Sequence, residues 1–192
     1  MGWVTFNETR TAKQYFTDMV NKCEGLELVD IAVVSFRTAY IAVKNIEKGY
    51  TYCLVYLLHR APNSYHNFGY KDMSEFSGPV VNDCPERILN KLSPLEFIGE
   101  QEPEWSIEYA QNWRESVRNR IKRNEVLKEA TKKGYILKTK NPISFSNGYQ
   151  IQYFIKEGAK VFGLYNYGEP NEYKMQVRFN GLKSTDFEVI KK

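Results

Sequence analysis

Apolar positions along this chain change their period several times, and each change predicts a different element. From residue 9 to 22, in TRTAKQYFTDMVNK, Ala12, Tyr15, Phe16, Met19 and Val20 recur at helical spacing, and Thr9 or Thr11 can cap the start. The Glu24-Gly25 pair closes that helix. Three β-rich runs follow: LELVDIAVVSF, TAYIAVKNI and YTYCLVYLLH. Their links are short, Arg37-Thr38 and then Glu47-Lys48-Gly49, which predicts an antiparallel meander with the helix over one face. Trp3 to Phe6 is a candidate fourth strand. Residues 60–82 read as a long loop, with Tyr65, Phe68, Tyr70, Met73 and Phe76 as apolar anchors. Asp83 and Glu86 have capping-box spacing around Pro85, and Ile88, Leu89 and Leu92 supply an apolar helix face that Ser93-Pro94 ends.

The longest helix is expected from about Pro103 to Lys133. Ala110, Trp113, Val117, Ile121 and Leu127 trace its apolar stripe, Trp105 lies off it, and Gly134 ends it. After Tyr135 the period becomes two. Tyr149, Ile151, Tyr153 and Ile155 alternate with polar residues, as do Tyr173, Met175, Val177 and Phe179, so each set is expected on one buried face. Breaks at Asn147-Gly148, Glu157-Gly158, Gly168-Glu169-Pro170 and Asn180-Gly181 separate five or six short strands. The expected fold class is α+β, in three parts. Residues 1–100 form an N-terminal domain, 101–134 a basic connecting helix, and 135–192 a small β barrel of SH3-like type.

Composition adds bounds. The chain has 192 residues, 42% apolar and 15% aromatic with 14 Tyr, enough for a core and for amphipathic contact surfaces. No apolar run approaches the roughly 20 residues of a membrane span. MGWVTFNETR has neither the features of a secretory leader nor those of a myristoylation signal, so a cytoplasmic protein without a membrane partner is expected. Cys23, Cys53 and Cys84 lie far apart without a C-x-x-C, which predicts three reduced thiols. The net charge of +4 conceals a division. Residues 1–113 carry 10 basic and 15 acidic side chains, whereas 114–192 carry 17 and 8. The basic half is suited to nucleic acid or to an acidic protein surface, and a solvated helix face with a lysine-rich tail is the plainer explanation.

Candidate chemistry concentrates in two places. His59, His66, Lys71, Asp72, Glu75 and Cys84 could be drawn into a site, with Cys84 as thiol beside His66 as base, or with His66, Asp72 and Glu75 around a metal. No phosphate loop, G-x-G-x-x-G, H-E-x-x-H or nucleophile elbow accompanies them, so no catalytic residue, cofactor or metal is expected. The second place is the basic half. Arg114, Arg118, Arg120 and Arg123 on the helix, and Lys174 and Arg178 on a strand, are the expected electrostatic contacts, with Tyr165 and Tyr167 placed to stack. The tyrosine surplus and Trp105 favour a protein partner instead.

Several unusual residues also fall in a particular order: Met-Gly-Trp at the start, NFGYKDM at 67–73, Gly78-Pro79, CPERIL at 84–89, Ser93-Pro94 and Trp113-Arg114. Over about residues 1–120 this resembles an uncharacterised family of bacteriophages and integrated mobile elements. Phe68, Gly69, Tyr70, Lys71, Asp72 and Cys84 carry the signature. SEFS at 74–77 departs from the family's acidic, small, methionine pattern. The resemblance implies no catalytic residues. It implies an accessory protein that binds a host protein, such as a defence nuclease, as an anti-CRISPR or anti-restriction inhibitor. Direct nucleic-acid binding is the alternative, and an enzyme using the His66–Cys84 loop the third reading.

Overall fold

The structure is a computed structural model of the chain. It describes residues 4–6, 11–35, 38–61, 64–73, 82–179, 181–183 and 185–191, and within them the backbone alone at 4–6, 12, 35, 57–61, 64–71 and 183. It is an α+β protein with two antiparallel five-stranded sheets and one long helix. The chain divides into two compact units, residues 1–121 and 122–192.

Unit 1 holds β1 (Val4–Phe6), α1 (Ala12–Asn21), β2 (Leu26–Ser35), β3 (Thr38–Asn45), β4 (Thr51–Ala61), β5 (Ser64–Lys71), α2 (Glu86–Leu89) and α3 (Leu95–Gly99). It also holds the first part of α4 (Glu104–Lys133). Thr11 starts α1 through a full capping box: its hydroxyl accepts the Gln14 N–H at 3.3 Å, and Gln14 Oε1 accepts the Thr11 N–H at 2.9 Å. The sheet order is β1-β5-β4-β3-β2, so the expected meander is present and Val4–Phe6 does add a strand, against β5. The Gly49 N–H bonds to Asn45 O at 2.8 Å, and its φ of +74° is the left-handed conformation that a glycine adopts without strain.

One expectation for this region changes. Residues 64–71 are not loop. They form β5, in register with β4 from Leu54↔Lys71 to Ala61↔Ser64, because the alternating SYHNFGYK run supplies main-chain partners to an otherwise open edge. The helix α1 lies over one face as expected, and α2 with part of α4 covers the other. Ala39, Ile41 and Val43 of β3 pack with Phe16 and Val20 of α1, Ile98 of α3 and Ala110 of α4. Tyr40 and Ala42, on the opposite face, pack with Ile88 and Leu89 of α2 and with Trp113 and Val117 of α4. Burial on both faces explains why β3 reads as a nearly unbroken apolar run.

Unit 2 contains the end of α4, then β6 (Ile136–Ser144), β7 (Gln150–Glu157), β8 (Lys160–Tyr165), β9 (Tyr173–Val177) and β10 (Phe187–Ile190). Gly134, at φ +66°, terminates α4 where expected. The strand order is β10-β6-β7-β8-β9. Its two end strands do not pair with each other among the described residues, so this is an open sheet and not the closed SH3-like barrel expected. Hairpin links join β6 through β9, β10 returns beside β6, and the sheet can stop at its two edges once a helix closes one face. Leu127 and Ala130 of α4 provide that closure over Leu137, Ile151, Phe154 and Val161.

Candidate functional site

The buried polar residues of unit 1 assemble around Arg114. Its guanidinium is 4% exposed and faces Asp72, which is fully buried, at 3.6 Å between Nη2 and Oδ2. Arg114 Nη1 donates to Ser93 O at 2.7 Å. Ser93 is in turn tied to β4, because its N–H bonds to Thr51 O and its hydroxyl accepts the Thr51 N–H, both at 2.9 Å. Asp72 Oδ1 accepts the Cys53 N–H at 3.4 Å. Desolvation pushes the Asp72 pKa up to about 6, while Arg114 and the Cys53 N–H pull it back. Burial also holds the Arg114 pKa below its ordinary value despite Asp72. The two deeply desolvated groups link β4, the end of β5, the α2–α3 link and α4. Arg114 is therefore not the surface cation expected from its place in the basic run. Helical periodicity puts it next to Trp113, on the inward side of α4.

The other groups of the first candidate site are also built into the fold. Cys84 is 2% exposed, and its thiol donates to Pro85 O at 3.6 Å. Cys53 is wholly buried, which raises its pKa well above the ordinary value. The expected capping box at Asp83 and Glu86 does not form. Pro85 is the N-cap of the single-turn α2, and the Asp83 carboxylate instead accepts the Tyr40 hydroxyl. Burial and that bond raise the Tyr40 pKa. Phe68, Gly69, Tyr70 and Lys71 occupy β5 opposite Leu57, Tyr56, Val55 and Leu54. The side chains of His59 and His66, and all of Glu75 and Phe76, lie outside the described residues. Among the described residues no three His, Cys, Asp or Glu side chains gather as a metal-binding group.

The basic candidates scatter. Arg118 and Arg178 are exposed. Arg120 Nη1 donates to Asn82 Oδ1 at 2.7 Å, and Arg123 pairs with Asp186 at 2.5 Å. Lys174 is exposed and pairs with Glu157. Tyr165 and Tyr167 fall in different clusters. Tyr165 contacts Tyr149 and Tyr173, with centroids 5.3 and 5.0 Å away. Tyr167 lies 4.6 Å from Tyr153 at an interplanar angle of 33°. Between them Asn166 takes φ +50°, a left-handed turn that redirects the chain.

A surface missed in the sequence emerges on the side of the unit 2 sheet opposite Leu127 and Ala130. Ile136, Ile155 and Leu164 form its buried floor, with Tyr153, Phe162, Tyr167 and Ile190 half-buried around them. Lys174 Nζ sits 4.3 Å from the Phe162 ring centre, and Lys138 Nζ 5.8 Å from that of Tyr153. Register explains the grouping. Lys138 is opposite Tyr153, Tyr153 opposite Leu164, and Leu164 opposite Lys174. Tyr153 and Ile155 thus do not share a face with Ile151, as strict alternation predicts. The pairing shifts between Lys138 and Ile143, where β6 carries extra residues opposite Gln152. Thr139 Oγ1 donates to Asn141 O at 2.8 Å, and Gln152 Nε2 donates to Thr139 O at 2.9 Å, so side chains fill the bulge. Pro142 in the middle of β6 is the sequence signal, since a proline has no N–H for the ladder.

Residues 105–182 match a family described as a domain of unknown function (DUF6927), which takes in α4 from Trp105 and strands β6 to β9. The matched span overlaps the residues on which the mobile-element resemblance rests over about 105–120, Trp113-Arg114 included. No curated protein and no solved structure matches the chain. The finding connects this chain with an uncharacterised family and carries no activity with it.

Proposed function

We propose that this protein binds nucleic acid without catalysis, and that unit 2 holds the phosphate backbone. The observation that supports this reading is the open sheet face, where Lys138 and Lys174 flank Tyr153, Phe162 and Tyr167. Charge reinforces it: residues 122–192 carry 14 Lys and Arg against 7 Asp and Glu. Burial of Asp72, Arg114, Cys53 and Cys84 in the packing of unit 1 supports a reading without catalysis there. A salt titration of labelled oligonucleotides tests the reading. Affinity should fall steeply as salt rises, because phosphate contacts release counterions. Absence of binding to any oligonucleotide at low salt sinks it.

One observation favours a host-protein partner as a second reading. Trp105 is 58% exposed and makes an edge contact with Tyr109 at 6.2 Å on the surface of α4. Exposed aromatic pairs of this kind serve as interface anchors. The mobile-element resemblance gives such a contact a setting, inhibition of a host defence nuclease. Trp105→Ala should then abolish protection against that nuclease in cells while the protein remains folded. Full protection by the variant would remove this reading.

A further inference from the structure

Resting on the nucleic-acid reading, the geometry points to single-stranded nucleic acid as the ligand of the open face, crossing the strands from β6 to β9. The face offers ring surfaces, and only unpaired bases have free π-faces to lay on them. The Tyr153 and Tyr167 rings are in contact at 4.6 Å, tilted by 33° to each other, and rest on the buried Ile136, Ile155 and Leu164. That floor fixes the rings before a base arrives, so little ordering is left for binding to impose. Lys138 and Lys174 stand on strands β6 and β9, three strand spacings apart in the sheet order. At about 4.8 Å per spacing that is about 14 Å, room for a short run of nucleotides with a phosphate near each lysine.

The charge on the face is locally mixed, which bears on affinity. Glu188 lies opposite Lys138 in the register, and Glu157 pairs with Lys174. Both acids are exposed, so their pairs with lysine are weak and a phosphate can displace them. Beyond Lys138, a surface groove along the β6 bulge is lined by Lys138, Lys140 and Gln152 but also by Asp186 and Glu188, so its charge is mixed too. A duplex is disfavoured because its stacked bases cannot reach Tyr153 or Tyr167, leaving it phosphate contacts alone.

The experiment is fluorescence anisotropy with labelled dT12 and rU12 and a 12-base-pair duplex, using the full chain. Single strands should bind more tightly than the duplex at every salt concentration. The Tyr153→Leu/Tyr167→Leu double variant should weaken single-strand binding by about tenfold or more. The Lys138→Gln/Lys174→Gln variant should lower the slope of log affinity against log salt by about 1.4, for two phosphates on a single strand. A duplex that binds as tightly as the single strands overturns this inference but leaves the phosphate reading standing, and so does full affinity in a folded tyrosine variant. No binding of any probe overturns both. Should the tyrosine variant fail to fold, as circular dichroism would reveal, the lysine variant decides, and an unchanged salt slope rejects the platform.

Discussion

The two sheets of this protein have five strands each and are used in opposite ways. Unit 1 covers its sheet on both faces and turns most of its described reactive groups inward, the exposed Cys23 excepted. Asp72, Arg114, Cys53 and Cys84 are all buried, and the Arg114–Asp72 pair holds four segments together. Unit 2 covers one face with Leu127 and Ala130 and leaves the other to aromatic rings and lysine stems. The charge follows the same division, with 13 basic and 16 acidic residues in 1–121 against 14 and 7 in 122–192. The difference teaches that reactive side-chain types are a poor guide to a site. What matters is whether the covering layers let them meet solvent, and here the chemically bland tyrosines and lysines are the accessible groups.

That contrast can be broken most directly at Arg114. Arg114→Ala leaves the Asp72 carboxylate buried without its ion-pair partner and should cost about 3–5 kcal/mol in urea unfolding. Combining it with Asp72→Asn should recover a large part of that loss, since no buried charge then remains. A pH series sharpens the point. Asp72 has a folded pKa of about 6, above its ordinary 3.8. A raised carboxyl pKa gives stability that is fully present below about pH 4 and is lost as pH rises through about 6. The loss should be on the order of 2–3 kcal/mol by linkage. Asp72→Asn should remove this step from the pH profile, and an unchanged profile would mean that Asp72 does not titrate there.

In unit 2 the corresponding test of packing is Gly163. A Cβ at that position would come 2.6 Å from Ile151 Cδ1 and 3.0 Å from its Cγ2. Gly163→Ala should therefore cost about 1–3 kcal/mol through overpacking, measured by thermal melting. The open face should behave differently. Lys138→Gln and Lys174→Gln should each change stability by less than about 0.5 kcal/mol, because the Lys174–Glu157 pair is exposed and Lys138 is only half-buried. A larger loss would show that these lysines serve the fold. Trp105→Ala, with 58% of the residue already in solvent, should have the smallest effect on unfolding.

Much of the architecture was legible. The capped α1, the meander, the full length of α4 and its glycine stop follow from periodicity and capping, which are local properties. The β5 strand was hidden because glycine, histidine and asparagine dilute its apolar alternation, and its pairing with β4 is what makes it a strand. The barrel expectation failed for a related reason: alternating strands predict a sheet but do not say whether its edges meet. At the site level, the list of basic residues mixed side chains with different fates. Arg114 went into the core, Arg120 and Arg123 took partners, and Arg118 and Arg178 stayed at the surface.

By itself, then, the sequence determined the elements, the α+β class, the rough division of charge and the lack of a recognised catalytic motif. Those depend on spacing, composition and residues near one another in the chain. Tertiary structure decided which residues face outward. Tyr153 and Ile155 face away from Ile151 where the β6–β7 register shifts, and a left-handed Asn166 parted Tyr165 from Tyr167. Burial converted Lys71-Asp72, an odd pair in the sequence, into the end of a strand followed by the internal partner of Arg114. Facing is set by strand register and by covering layers, and both arise from contacts between residues distant in the chain.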